Sequence, residues 1–250
     1  MSGSFLTARH IRAEIRKASC GKATGGLLLG GAVWCVLAGI GFYQKGSADP
    51  AALASGEVTS SMVRAWMLML LFSAIASALV VTRDFSQGTV LRAVMAYGNR
   101  NRVFAAKIAA VGLISTAFGA VASAGAWLQV SLTKGPDGGD LIWTSESTHS
   151  LIGVGACAVI AGLWGVLIGW LVRKQALAVI VILSVVFALD PIVQTLLPDV
   201  GQYLFTMALG SVYGEPKPLL PLIPALGVLA LWLALLFVCA RISLTRRDLR

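Results

Sequence analysis

Apolar residues gather in six long runs, at roughly 23–43, 63–82, 108–132, 150–172, 175–197 and 219–240, separated by short polar and basic stretches. A helix needs ~20 apolar residues to cross the hydrocarbon core of a bilayer, and each run is of that order. None shows the period-two alternation that divides lipid face from lumen in a barrel strand. The pattern predicts an all-α polytopic membrane protein with six transmembrane helices, organised as one transmembrane domain over residues 1–250. The first run follows basic residues and precedes Ala52-Leu53-Ala54, as in a cleavable leader, but its apolar stretch of about 21 residues exceeds the usual ~7–15-residue leader core. It is therefore expected to be retained.

Three segments between or before these runs carry finer patterns. Ala8, Ile11, Ile15 and Ala18 share one helical face while Arg9, Arg12, Arg16 and Lys17 point elsewhere, predicting an amphipathic elbow helix within residues 1–22 that lies on anionic lipid headgroups. Between the second and third runs, Val90, Leu91, Val94 and Met95 recur at helical spacing with Arg92 off their stripe, and Gly98-Asn99 supplies a stop. This predicts a short amphipathic helix whose apolar face meets nothing in the chain. Periodicity alone leaves it three resting places: the lipid interface, the underside of its own bundle, or a groove on a partner. Between the fifth and sixth runs, Asp190-Pro191 interrupts the apolar pattern. A second apolar stretch follows, containing Tyr203, Phe205 and Leu209, and then Pro216, Pro218, Pro221 and Pro224. Breakers inside apolar sequence predict short helices over 190–218 that enter the membrane without crossing, shielded by protein or facing a cavity.

Composition removes the soluble alternatives. Apolar residues make up 57% and charged residues 12%, half the ~25% usual in globular domains, too few to cover a water-exposed surface. The formal charge of +9 would suit nucleic acid if it formed one patch, but it is dispersed between apolar runs, so no nucleic-acid partner is expected. Its distribution sets orientation instead. Of the 20 Lys and Arg, 16 fall before the first run, after the second, after the fourth and in the C-terminal tail, and the remaining four lie on the opposite side. By the positive-inside rule both termini are cytoplasmic. Acids follow the reverse bias, with Glu14, Asp84 and Asp248 on the basic side and eight on the other.

Candidate chemistry is sparse. His10 and His149 have no Asp, Glu or Cys at ligand spacing on a shared face, so no metal site is expected. Cys20, Cys35, Cys157 and Cys239 lack the close pairing of zinc or redox motifs and read as reduced structural thiols. No catalytic motif is present. A P-loop is missing too: the Gly21-Lys22 pair is followed by Ala23 and preceded by Arg16 where the first Gly belongs. Asp190 is the one acid in an apolar run, which weakens an ion-coupled secondary carrier without excluding it. Gly26-x-x-x-Gly30 and Gly165-x-x-x-Gly169 permit close helix approach and are read as packing within the chain.

Asp84-x-x-x-Gly88-Thr89, the apolar-basic stretch through Arg92 to Arg100 and Arg102, and Lys107 opening the next run resemble the permease subunits of type-2 ATP-binding-cassette exporters. Those permeases share the six spans, the basic elbow and the short helical pieces before the last span. The motif covers residues 83–107, the topology the whole chain. Asp84 stands where the family usually has Glu, and Gly98 near a common Pro; charge and turn are kept. The resemblance implies that Asp84, Gly88, Thr89, Val90, Leu91, Arg92, Val94, Met95, Arg100 and Lys107 mark the coupling helix region that meets an ATPase subunit. It implies that Asp190, Pro191, Tyr203, Phe205 and Leu209 belong to outer helices capping the translocation path. It also implies a dimer with a second or sister permease in a bacterial plasma membrane, with ATP and Mg²⁺ on the partner ATPase and no cofactor in this chain. The apolar lining suits a hydrophobic or amphipathic peptide, lipid or drug-like cargo. The rival classes are a non-transporting immunity or scaffold protein and a small secondary carrier.

Overall fold

The computed structural model describes residues 22–136, 138–215 and 220–246. The expected elbow helix, with His10 and Cys20, lies outside them. In chain order the helices are α1 (Lys22–Gly46), α2 (Pro50–Ser55), α3 (Glu57–Ala65), a 3₁₀ turn (Trp66–Leu68), α4 (Met69–Ser86), α5 (Thr89–Tyr97), α6 (Arg100–Leu132), α7 (Ser145–Val172), α8 (Gln175–Ser184), a π turn (Val185–Leu189), α9 (Asp190–Leu196), α10 (Pro198–Gly201), α11 (Phe205–Tyr213) and α12 (Leu222–Arg246). Six stretches are long and apolar enough to span a membrane: Ala23–Gly46, Glu57–Ser86, Arg100–Leu132, Ser145–Val172, Gln175–Leu196 and Leu222–Leu244. The β-structure among the described residues is one isolated bridge, Lys134 to Asp140. The all-α, six-span expectation holds.

Three spans begin earlier than their apolar runs, at Glu57, Arg100 and Ser145 rather than near 63, 108 and 150. Charges at or just beside the edges of two of these runs lie inside the helices. Arg64 pairs with Glu146 across α3 and α7, and Lys107 pairs with Asp84 across α6 and α4. A charge that finds a partner does not stop a helix; a left-handed glycine and an N-cap do. The start of α6 is set by Gly98 at φ 69° and by Asn99, whose side chain accepts from the Asn101 N–H at 2.9 Å.

The core is built on α4, α6 and α7. Gly165 and Gly169 of α7 lie against Ala74 and Ala78 of α4, so that a Cβ on Gly165 would fall 2.1 Å from the Ala74 carbonyl oxygen. The expected close approach at this Gly pair is therefore real and internal. At Gly26 and Gly30 it is not: nothing lies within 4 Å of a Cβ placed on either, because this face of α1 packs on none of the described residues. Trp66 fills the notch left by Gly125, and its indole N–H donates to Gln129 Oε1 at 2.7 Å, tying the 3₁₀ turn to α6. The helices α1, α8–α9 and α12 are peripheral and keep apolar side chains exposed, among them Leu29, Trp34, Ile180, Phe187, Ile223 and Leu231. That is the surface of a protein whose solvent is hydrocarbon.

The interrupted segment differs from expectation at its start. Asp190-Pro191 does not break the helix, since Leu189 and Asp190 are both right-handed helical and α9 runs straight on. The π turn before it widens the ladder where the proline ring would otherwise clash. The break comes at Leu197, with φ −139° and ψ 72°, after which α10 and α11 follow as short pieces.

Candidate functional site

The end of the bundle that holds α5 is assembled around two glycines. Gly88 (φ 63°) turns the chain out of α4, and Gly98 (φ 69°) turns it into α6. Both sit in the left-handed region, which costs other L-residues ~1–2 kcal/mol. Between them α5 lies under the bundle. Val90 is 2% exposed, and Val94 packs half-buried on the cluster of Val81, Val103, Phe104 and Trp170. Of the three resting places that periodicity left open, the underside of the bundle takes part of the stripe: Val90 is covered and Val94 partly so. Met95, 69% exposed, and the exposed Arg92 form the outward face. The placement of the Leu91 side chain lies outside the described residues.

Beneath α5 the motif residues converge. Asp84, in the last turn of α4, forms an ion pair with Lys107 of α6, and the two side chains are 4% and 1% exposed. The Thr89 hydroxyl donates to Asp84 Oδ1 at 2.9 Å and to the Asp84 carbonyl at 3.3 Å. One carboxylate thus joins three helices: its own α4, the first turn of α5 and the body of α6. Buried charges are tolerated when both pairing and hydrogen bonding are in place, and here they are. Arg100, a further cation of the motif, donates from Nη1 to the Leu244 carbonyl at 3.3 Å and so holds the end of α12.

A second anchor was not legible as a site in the sequence, where Arg173 counted only as a topology charge. It ends α7 at φ 60°, the one non-glycine at positive φ among the described residues. Its Nη2 donates to the Ser243 carbonyl at 2.7 Å and to Ser243 Oγ at 3.3 Å, and its guanidinium stands 5.2 Å from the centroid of the Phe85 ring. Phe85 meets Trp170 edge-on at 5.4 Å, and Trp170 meets Phe104 at 5.2 Å. Arginine and aromatics on separate helices have no shared period, so spacing gave no signal for this contact.

The expected outer residues do not gather in one place. Phe205 stacks on Trp164 of α7 at 4.9 Å with the rings 12° apart, and Leu209 is fully buried, its carbonyl accepting from the Cys157 thiol at 3.4 Å. Both are buried in the core of the chain. Tyr203 is exposed, and its carbonyl accepts from the Trp232 indole N–H at 3.0 Å. Asp190 is buried and accepts a hydrogen bond from Thr206 of α11; the adjacent Pro191 is exposed. Between α3, α7 and α11 lies a further polar cluster that spacing did not reveal. It holds the Arg64–Glu146 pair, Ser60 Oγ bonded to Ser147 Oγ at 3.0 Å, and Tyr213 donating to Glu215 at 2.6 Å. Burial first, and then the Glu215 carboxylate, push the Tyr213 phenol above its ordinary range, so it stays neutral and donates. Among the described residues no group of three or more His, Cys, Asp or Glu could hold a metal ion.

Six spans around a glycine-packed core, with a short helix slung beneath one end between left-handed glycines, define a multi-pass α-helical membrane protein. The family model described as ABC-2 membrane transporter related matches residues 43–198, and the chain belongs to that family. It is accordingly a membrane subunit of an ABC transporter. A comparison with curated proteins returned no match.

Proposed function

We propose that this chain is the transmembrane subunit of an ATP-driven exporter. It works as a dimer, with a second copy or a sister permease, on separate ATPase subunits that hold ATP and Mg²⁺. The membrane is a bacterial plasma membrane, and α5 and both termini are cytoplasmic, as the surplus of Lys and Arg on that side supports. The cargo is hydrophobic or amphipathic, in keeping with spans that carry few charges.

The observation that carries this reading is the build of α5. Its outward face offers Arg92 and Met95, while its first turn is clamped through Thr89 to Asp84 and Lys107. A partner closing on that face would push on a helix that cannot slide, because one carboxylate fixes it to α4 and α6. The push shifts the bundle between inward- and outward-open states provided α5 contacts the ATPase differently in the two. Co-expression with the ATPase of about 25–35 kDa tests this. Arg92→Glu with Met95→Glu should insert normally yet lose the stoichiometric ATPase and ATP-driven efflux, because an apolar anchor in a groove contributes ~1.5–3 kcal/mol. An Asn101→Glu control should keep both. A doubly substituted chain that retains its ATPase and full transport would put α5 outside the coupling path.

A further inference from the structure

Asp190 lies inside the fifth span, Gln175–Leu196, and is 1% exposed. It stands where the π turn Val185–Leu189 passes into α9, and its Oδ2 accepts from the Thr206 hydroxyl of α11. Among the described residues the ion pairs are Arg64–Glu146, Asp84–Lys107 and Lys134–Asp140, and none of these cations reaches Asp190. A carboxylate taken out of water needs a positive partner or a proton to offset its desolvation. Two independent features mark the place as more than packing. Ionisable groups inside spans cluster on transport pathways, and π turns inside α-helices collect at functional sites.

We infer that Asp190 is the recognition point for a positively charged group on an apolar cargo, an organic cation such as an amine or a quaternary onium. This rests on the transport reading given above. The neighbours of Asp190 select that chemical class. Asp190 is the one charged residue of the fifth span, Gln175–Leu196, whose other residues are apolar apart from Gln175, Ser184, Gln194 and Thr195, so the carboxylate sits in a predominantly hydrocarbon segment. A bare metal ion would need several oxygen ligands, and no acidic or His/Cys cluster of that kind exists among the described residues. The charge balance agrees. The side of the membrane that holds Asp190 has eight acids and four Lys or Arg, of which Arg64 and Lys134 are already paired. In the structure Thr206 occupies the carboxylate. When α11 separates from α9, the hydroxyl leaves and a cation takes its place, with the π turn as the compliant point of the moving span.

Charge selectivity on the full chain in nanodiscs tests this, with tetraphenylphosphonium and tetraphenylborate as probes of matched shape and opposite charge. Wild type should bind the phosphonium saturably and the borate no better than empty discs. Asp190→Asn should weaken the phosphonium by roughly thirtyfold or more, the loss expected when a desolvated charge pair loses one member. Asp190→Glu, which keeps the charge, should lie between, and Thr206→Val, which removes the competing hydroxyl, should bind at least as tightly as wild type. Equal affinity in Asp190→Asn, or equal binding of the two probes to wild type, overturns the inference, and the second comparison requires no variant to fold. ATPase co-purification from the same cells separates the two readings. A chain that keeps its ATPase but shows no cation preference refutes the site alone, whereas a chain that never recruits an ATPase refutes the transport reading.

Discussion

Replacing Lys107 with Met removes one member of a pair whose side chains are 1% and 4% exposed. The Asp84 carboxylate then stays buried without its ammonium, and the Thr89 hydroxyl at 2.9 Å supplies only a neutral dipole. Breaking a buried pair from one side costs ~3–5 kcal/mol. At ~2–4 °C per kcal/mol for a chain of this size, the midpoint of thermal unfolding should fall by roughly 6–20 °C. Asp84→Leu alone leaves a buried ammonium and should fall comparably. The double variant removes both charges and their desolvation together and should recover most of the loss. Tryptophan fluorescence follows the transition, since the chain has 7 Trp and Trp170 lies in the adjoining aromatic cluster. A double-mutant cycle then gives a coupling energy of more than ~1 kcal/mol. The functional readout is separate. Because Arg92 and Met95 are untouched, the Lys107→Met chain should still recruit its ATPase, while transport driven by ATP falls. Two single variants that each unfold within about 2 °C of wild type and combine additively would refute the reasoning.

Three other outcomes follow from the same packing. Gly165→Ala would place a Cβ 2.1 Å from the Ala74 carbonyl and should destabilise by at least ~1–3 kcal/mol in thermal unfolding, whereas Gly30→Ala, with nothing within 4 Å, should be close to neutral. Arg173→Gly should be less damaging than Arg173→Ala by about 1 kcal/mol, because both lose the Ser243 and Phe85 contacts but only glycine relieves the positive φ. On a Cys20→Ser, Cys239→Ser background, an impermeant maleimide should label Ser145→Cys in intact cells and Ser86→Cys only after permeabilisation; the reverse would invert the proposed orientation.

The spans were legible because a bilayer imposes a length that apolar runs must match. Their starts were less so. Hydropathy falls at Arg64 and Lys107, yet the helices continue past both toward Glu57 and Arg100, since what ends a helix is the local backbone and not the cost of a charge that has a partner. The end of α5 could be read from Gly98-Asn99, but its orientation could not. A period tells which residues share a stripe and says nothing of what covers them; Val90 is covered by its own bundle and Met95 is not. Asp84 and Lys107 entered the candidate site by resemblance alone, and no spacing rule joins residues on two different spans. At α2 the local signals were present, with Asp49 capping the Ala51 N–H at 2.9 Å, Pro50 opening the helix and Gly56 ending it at φ 77°. Six residues are too few to show a period, so hydropathy passed over them.

The distribution of close packing also decides which parts of the bundle can move. At the α4–α7 seam, Gly165 and Gly169 bring backbone against backbone, and Gly162 leaves room for Ser115 and Ser73, with a Cβ there falling 1.9 Å from Ser115 Oγ. Ser73 donates across the same seam to the Ala158 carbonyl at 2.7 Å. Surfaces this close resist gradual sliding, since any shift forces atoms into overlap or opens an empty gap. Under the proposed coupling, a displacement of α5 would pass through Thr89, Asp84 and Lys107 into α4, α6 and α7 as a body. Relative motion is left to helices with thin contacts. The fifth span has its π turn and largely exposed flank, and α12 is tied at its end through Arg100 and Arg173 while Leu231, Leu235 and Val238 face outward. Both anchors of α12 sit at the α5 end of the bundle, so a push there reaches α12 at its root.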